Sequence, residues 1–454
     1  MKDKIWIKYY KKGIITQEVT FKEAELEIEK RRKELIDLGV KKGDRIIVKY
    51  ENSPLLIFTY LALYKINAII VPVHFKEEQE RLDFIIKDSK ALGTLSEDGF
   101  VKSGLKDFEV GFKVPQNIST IIYTSGTTGA PKGVCLTIEN WKENAKSLIK
   151  HHRLNSKVVF ASPLLLSHCN SHGLAMFSTY LSKTTYILFD NVPRNFLDIL
   201  KEERVNVVSI VPAILHQLYK DNPGWSKFKE LKYILTAAAP LSAELFNDVI
   251  DFWKVKIIQG FGLSESTNFS CTMPININHS LYKKVMRPYP SIGIAISGSK
   301  INIGKNVENV SDELEIYSQA NFSGYWNKNV LKKQTVVKSG DIGYFKIFNG
   351  KKFYYLNGRI KEIINRGGEK IIPIEIEKKL RKLGLNSEIA IFGMPDEKYG
   401  EEVAIATVGK INKNIFPKLP KHMRPKKTFM MEKLFYTATG KVQRNKIKNF
   451  LFPI

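Results

Sequence analysis

The sequence predicts an α/β fold with a β-rich insert, and three observations carry that prediction. Short apolar runs, TYILFD (185–190), VNVVSIVP (205–212), LKYILTAAAP (231–240) and VKIIQGFG (255–262), alternate with stretches of helical spacing, the pattern of parallel strands covered by helices. From Ile301 to about Tyr355 the texture changes to Gly- and Asn-punctuated β segments, INIGKNVENVSDELEIYS and GDIGYFKIFNGKKFYYL. A second, shorter α/β pattern starts near Arg359. At 454 residues the chain exceeds what one ordinary core organises. The domain boundary is placed at Gly358 to Lys361, between a large unit, residues 1–357, and a small one, residues 362–454.

The elements follow in order. FKEAELEIEKRRKELIDLG (21–39) has helical spacing and a glycine stop, and DRIIVKY (44–50) reads as a strand. LLIFTYLALYKINAIIVPV (55–73) is apolar enough to raise a membrane span. Lys65 and Asn67 fall near its middle and Pro72 near its end, and a charge at a bilayer centre is costly, so it is read as a buried helix followed by a buried strand. The N-terminal MKDKIWIKYYKKG has no apolar stretch of signal-peptide length. Cys135, Cys169 and Cys271 form neither a CxxC pair nor a metal-ligand cluster. A reducing compartment, the cytoplasm, is the expectation.

The formal net charge is +25, from 71 Lys and Arg against 46 Asp and Glu. A nucleic-acid binder would cluster its basic residues with stacking aromatics, whereas these lysines are spread along the whole length. Two readings stay open: a lysine-biased composition on solvated faces, or a general attraction to anionic ligands and acidic partner proteins.

One loop asks for more than a turn needs. In YTSGTTGAPKGV (123–134), Thr124, Ser125, Thr127 and Thr128 offer hydroxyls, Gly126 and Gly129 let backbone N–H groups approach, and Lys132 adds positive charge, a set suited to phosphate. The Walker pattern fails, because Pro131 stands where the second glycine is required and no Ser or Thr follows Lys132. ISTIIY before the loop and GVCLT after it are both strand-like, so the loop joins strands, where a Walker loop would open a helix. GFGLSE (260–265) begins like a dinucleotide fingerprint but ends on Glu265, so that reading fails too.

YTSGTTGAPKGV resembles the nucleotide-phosphate loop of the adenylate-forming superfamily, and AAAPLS with INRGGEKIIPIEIE look most like its acyl-CoA synthetase branch. Further signatures occur in order: GVKKGDRIIV, INAIIVPV, AAAPLS (237–242), QGFGLSE (259–265), GYWN (324–327), SGDIG (339–343), GRIKEIINRGGEKIIPIEIE from Gly358, and TATGKVQR (437–444). The resemblance spans nearly the whole chain. It implies a large N-terminal domain of α/β layers plus a distorted β-barrel, and a small mobile α+β C-terminal domain. It also implies ATP-dependent activation of a small carboxylic acid to an acyl-adenylate, then transfer to a thiol. The acceptor is CoA or the phosphopantetheine of an acidic carrier protein; a degenerate nucleotide binder is the alternative of another class.

The resemblance also assigns residues. Lys441 would supply the positive charge between the carboxylate and the α-phosphate, and Glu265 would hold Mg²⁺. Asp341 would accept both ribose hydroxyls with Arg359 in support. Phe261 would lie against adenine where many relatives have Tyr, with Ala238, Ala239, Pro240 and Gly262 beside it; Ser264 stands for the commoner Thr. Lys361 would be the hinge, and Gly367 and Gly368 would let the thiol arm approach. The acyl pocket would take Ala237, Gln259, Gly260 and a histidine of PLLLSHCNSHGL (163–174), with His168 favoured over His172. No Asp lies between Ala161 and Met176, which leans toward an acid without a free α-amino group, and a short or polar acyl group is preferred to a long chain.

Overall fold

The computed structural model describes residues 3–104, 117–124, 131–239, 241–326, 333–436 and 442–452. Among them the chain forms four sheets. The largest runs through nine strands, in spatial order Ile294–Ala295, Phe269–Thr272, Lys256–Gly262, Tyr233–Thr236, Val207–Ser209, Val159–Ser162, Thr185–Phe189, Ile5–Lys11 and Ile14–Thr20. The apolar runs read from the sequence are its parallel centre, and their side chains are buried on both faces, as parallel strands require.

A six-stranded sheet carries Gly93–Ser96, Arg45–Lys49, Ile69–Pro72 and Ile118–Thr124 in parallel, with an antiparallel strand at each edge. The stretch that resembled a membrane span is the helix Pro54–Ile66 followed by the strand Ile69–Pro72. Ser53 caps the helix by accepting from Leu56 N–H, and Asn67 ends it in the left-handed conformation. It is apolar nearly all round because protein covers it nearly all round. No helix of the described residues is long and apolar enough to cross a membrane.

The Gly- and Asn-punctuated insert is an antiparallel sheet of Ser299–Ile303, Asp312–Ser318, Val336–Phe348 and Lys351–Arg359. A distorted barrel was expected at this level; the four strands form an open path, with no closure among the described residues. After Arg359, a 3₁₀ turn at Ile360–Glu362 leads into a five-stranded sheet with helices Pro373–Lys382 and Arg444–Leu451. Apolar side chains beyond residue 363 gather into two clusters separate from the main core.

Candidate active site

The strands Ile118–Thr124 and Lys132–Thr137 pair antiparallel, and the last pair in the ladder is Thr124 opposite Lys132. The hydroxyl- and glycine-rich loop is therefore a strand-to-strand connection, as its flanks predicted. Ser125, Gly126, Thr127, Thr128 and Gly129 lie outside the described residues, as does Pro240. Lys132 stands at the loop's base with its Nζ 5.6 Å from the centre of the Tyr325 ring.

Tyr325 is held there by backbone pairing. Cys135 N–H donates to Gly324 O at 3.0 Å, Ser323 N–H to Cys135 O at 2.9 Å, and Trp326 N–H to Gly133 O at 2.7 Å. Trp326 Nε1 is fixed in turn by Asp88 O. On the other side, Glu265 sits in the 3₁₀ turn Ser264–Ser266 that ends the strand Lys256–Gly262. A Cβ at Gly262 would lie 1.7 Å from Asn268 O, so only glycine lets the chain fold back this tightly. Phe322 N–H then donates to Glu265 O at 2.9 Å, and Tyr325 Oη donates to Glu265 Oε1 at 2.9 Å. Lys132, Tyr325 and Glu265 thus converge from three segments far apart in sequence.

Ser264 adjoins this cluster. Its Oγ accepts from Cys169 Sγ–H at 3.1 Å, which brings PLLLSHCNSHGL to the same place. Burial pushes the Cys169 thiol up to about 12, against the smaller opposing effect of the Ser264 contact, so it remains a thiol near neutrality. Tyr325 and Cys169 were not singled out as site residues in the sequence. Tyr325 had a signal, its place in GYWN; Cys169 had only its position beside His168.

The two histidines part company. His168 is exposed in a crowded surface, where desolvation first and then the charges of His74 and Arg81 lower its pKa. His172 is fully buried in the π-helical turn Ser171–Ser178. Its ring lies 4.6 Å from Trp141 and 4.8 Å from Tyr60. A directed chain of hydrogen bonds runs through it: Trp141 Nε1–H to Thr120 Oγ1 at 3.0 Å, Thr120 Oγ1 with Tyr64 Oη at 2.8 Å, Tyr64 Oη with His172 Nε2 at 2.7 Å, and His172 Nδ1 to Leu166 O at 3.3 Å. The carbonyl at the end can only accept, so Nδ1 carries the proton and Nε2 accepts. Offered as a pocket residue by the sequence, His172 is a core histidine, caged by aromatic rings with both nitrogens engaged, and burial lowers its pKa to about 3.

Ala237 is buried and leads into Ala238, held at φ +70, a conformation an alanine rarely adopts; Ala239 follows. Gln259 stands opposite Thr236 in the parallel ladder. Both are buried, and Gln259 Oε1 and Thr236 Oγ1 have no partner among the described residues. Gly260 and Phe261 continue that strand, with Phe261 buried opposite Cys271.

A second cluster lies where the insert sheet ends. Asp341 and Arg359 are cross-strand partners, and Arg359 Nε donates to Asp341 Oδ1 at 2.8 Å. Lys361 is exposed in the next turn. Gly367 and Gly368, both at positive φ, make the two-residue hairpin between Ile364–Arg366 and Glu369–Ile371, a turn that favours glycine at both positions. Lys441 lies outside the described residues. No group of three or more His, Cys, Asp and Glu that could hold a metal ion occurs among the described residues. A carboxylate such as that of Glu265 would suit the sparse protein ligation of Mg²⁺, which is otherwise met by substrate phosphates and water.

The family model for AMP-binding enzymes matches residues 3–110 and 94–326. A 2-succinylbenzoate–CoA ligase from Listeria monocytogenes is 25% identical over 457 residues, covering 95% of this chain and 94% of that protein. The long-chain-fatty-acid–CoA ligase FadD13 from Mycobacterium tuberculosis is 24% identical over 91% of this chain and 89% of its own length. The fold is similar to that of o-succinylbenzoate CoA synthetase from Bacillus subtilis in complex with its acyl-adenylate intermediate, with a TM-score of 0.83, 21% identity and coverage of 98% of this chain and 95% of that one. The same enzyme with ATP and magnesium gives a TM-score of 0.82.

Proposed function

The chain belongs to the AMP-binding enzyme family, and from that premise we infer that it activates a carboxylic acid with ATP and transfers the acyl group to CoA. The observation that carries the reading is the convergence of Lys132, Tyr325 and Glu265 at the base of the phosphate-type loop. A carboxylate and an α-phosphate repel each other, so the first step needs positive charge between them. In this reading Lys441 supplies it at the reacting atoms, and Lys132 with the loop hydroxyls binds the outgoing phosphates. Glu265, steadied by Tyr325, holds Mg²⁺, which neutralises phosphate charge when bound. Asp341 accepts from the ribose hydroxyls while Arg359 fixes its orientation. Phe261 flanks adenine, as do Ala238 and Ala239, and Ser264 offers its hydroxyl to phosphate. The acyl group lies beside Ala237, Gln259, Gly260 and His168.

Residues 358–361 are the hinge between a 1–357 unit and a 362–454 unit, and Lys361 is its pivot. Transfer needs Lys441 withdrawn so that a thiol can enter past Gly367 and Gly368. A phosphopantetheine-bearing carrier protein is the competing acceptor, favoured by one feature: between Val403 and Met431 the chain has seven Lys and Arg and no Asp or Glu, a surface matched to an acidic partner.

The test is acid-dependent exchange of pyrophosphate into ATP across short hydroxy, dicarboxylic, aromatic, amino and fatty acids, followed by transfer of the best acid to CoA or to a holo carrier protein. One strong exchanger transferred to CoA is the expected result. No exchange with any acid, with ATP still bound, would overturn the activity; transfer to the carrier alone would overturn the acceptor.

A further inference from the structure

Arg444 has only 9% of its side chain exposed, and three elements hold it. Its Nη1 donates to Glu362 at 2.8 Å, its Nη2 to the two oxygens of Glu377 at 2.7 and 2.9 Å, and its Nε to Ile391 O at 2.9 Å. All three guanidinium nitrogens are used, the condition under which a buried cation is tolerated. The partners come from different places. Glu362 closes the turn that contains Lys361, Glu377 is on the helix Pro373–Lys382, and Ile391 is in the strand Ile389–Asp396.

The residues just before Arg444 are anchored too. Val442 bridges Tyr436 antiparallel, Gln443 N–H donates to Phe435 O at 2.8 Å, and Gln443 Nε2 donates to Tyr436 O at 2.7 Å. The two ends of the segment that contains Lys441 are therefore pinned together, and Arg444 fastens that base to the hinge turn. Glu362 also feels Arg359, the partner of Asp341. Charges of alternating sign thus run from Asp341 through Arg359, Glu362 and Arg444 to Glu377.

We propose that Arg444 is a positioning residue: it clamps the paired chain at Phe435–Tyr436 and Val442–Arg444, which brackets Lys441, to Glu362, so that this base turns together with the hinge turn. This rests on the roles proposed above for Lys441 and Lys361. Lysine cannot replace the fork, because a single ammonium cannot serve two carboxylates and a carbonyl in these directions.

The experiment compares Arg444→Met, Arg444→Lys and Glu362→Gln with wild type. The readouts are pyrophosphate exchange, thioester formation from supplied acyl-adenylate, melting temperature, and hydrogen exchange of peptides spanning 435–444. The Arg444 variants are expected to lose about 100-fold in exchange kcat, with KM for ATP and the transfer step within about threefold of wild type. Glu362→Gln should lose about tenfold with the same split, and amide exchange across 435–444 should rise in all three. Parallel loss of both half-reactions in step with a lowered melting temperature would make Arg444 merely structural. Unchanged amide exchange in Glu362→Gln would also overturn the clamp. Lys441→Ala separates the two claims: if it adenylates normally, the reading of Lys441 fails, while amide exchange still decides the clamp.

Discussion

The contact between Tyr325 and Glu265 is where one side chain decides how well the site is built. A carboxylate proposed to meet a cation and a polyphosphate gains from a donor that fixes its rotamer, and the phenol does this without adding charge. Burial raises the Tyr325 pKa and Glu265 raises it further, so the hydroxyl stays protonated as a donor across the working range. Tyr325→Phe removes that hydrogen bond and leaves the ring beside Lys132. A hydrogen bond to a charged group is worth roughly 1.5–3 kcal/mol, and part of this is regained by water at a half-buried site. The expected result is a fall of about tenfold in pyrophosphate-exchange kcat with an unchanged melting temperature. A loss smaller than twofold would take Tyr325 out of the machinery. The convergence itself was hidden in the sequence, since Glu265 and Tyr325 lie 60 residues apart and no local pattern reports such a contact. His168 and His172 pose the opposite case. Both were visible as residues, but only the surrounding Tyr60, Tyr64 and Trp141 decide which one is sealed in.

Elements were easier to read than contacts, because period and punctuation are local. The runs at 185–190, 205–212, 231–240 and 255–262 are parallel strands of one sheet, with Val159–Ser162 between the first two, and the loop between Thr124 and Lys132 joins two strands, since each rests on burial and turn chemistry within about ten residues. The barrel expected for the insert came from the resemblance and not from local pattern, since closure depends on edges that meet across the chain, and among the described residues its four strands form an open path. The turn at Ile360–Glu362 carries the element-scale prediction. Ile363 N–H donates to Ile360 O at 3.3 Å, which puts Lys361 at the second position of a four-residue turn, where proline is favoured. Lys361→Pro locks φ at this position and is expected to resist rotation. Transfer from supplied acyl-adenylate to CoA is expected to fall at least about tenfold, while pyrophosphate exchange stays within about threefold. Equal loss in both steps would overturn the proposal that Lys361 is the hinge pivot.

At the scale of the whole molecule, buried histidines and excess positive charge act together in acid. His74, His151, His152, His168 and His172 all have lowered pKa values, with desolvation the first cause in each. His152 and His172 are buried in the core, so the fold holds them neutral, whereas the unfolded chain protonates them near pH 6.5. Between that pH and the folded values the unfolded state binds more protons, and stability falls as pH falls. Each fully neutral histidine costs about 1.4 kcal/mol per pH unit below 6.5, so the pair removes about 3 kcal/mol by pH 5.5. Protonation adds to a chain already at +25, and self-repulsion works in the same direction. A typical net stability is about 5–15 kcal/mol, so this loss is a large share. Urea denaturation at pH 7.5 and 5.5 should show a clear drop in midpoint. His172→Gln should be less stable at pH 7.5, through loss of its aromatic cage packing, yet lose less between the two pH values. Equal midpoints for wild type at both pH values would mean that these histidines are not held neutral, and the directed hydrogen-bond chain from Trp141 to Leu166 would lose its energetic role.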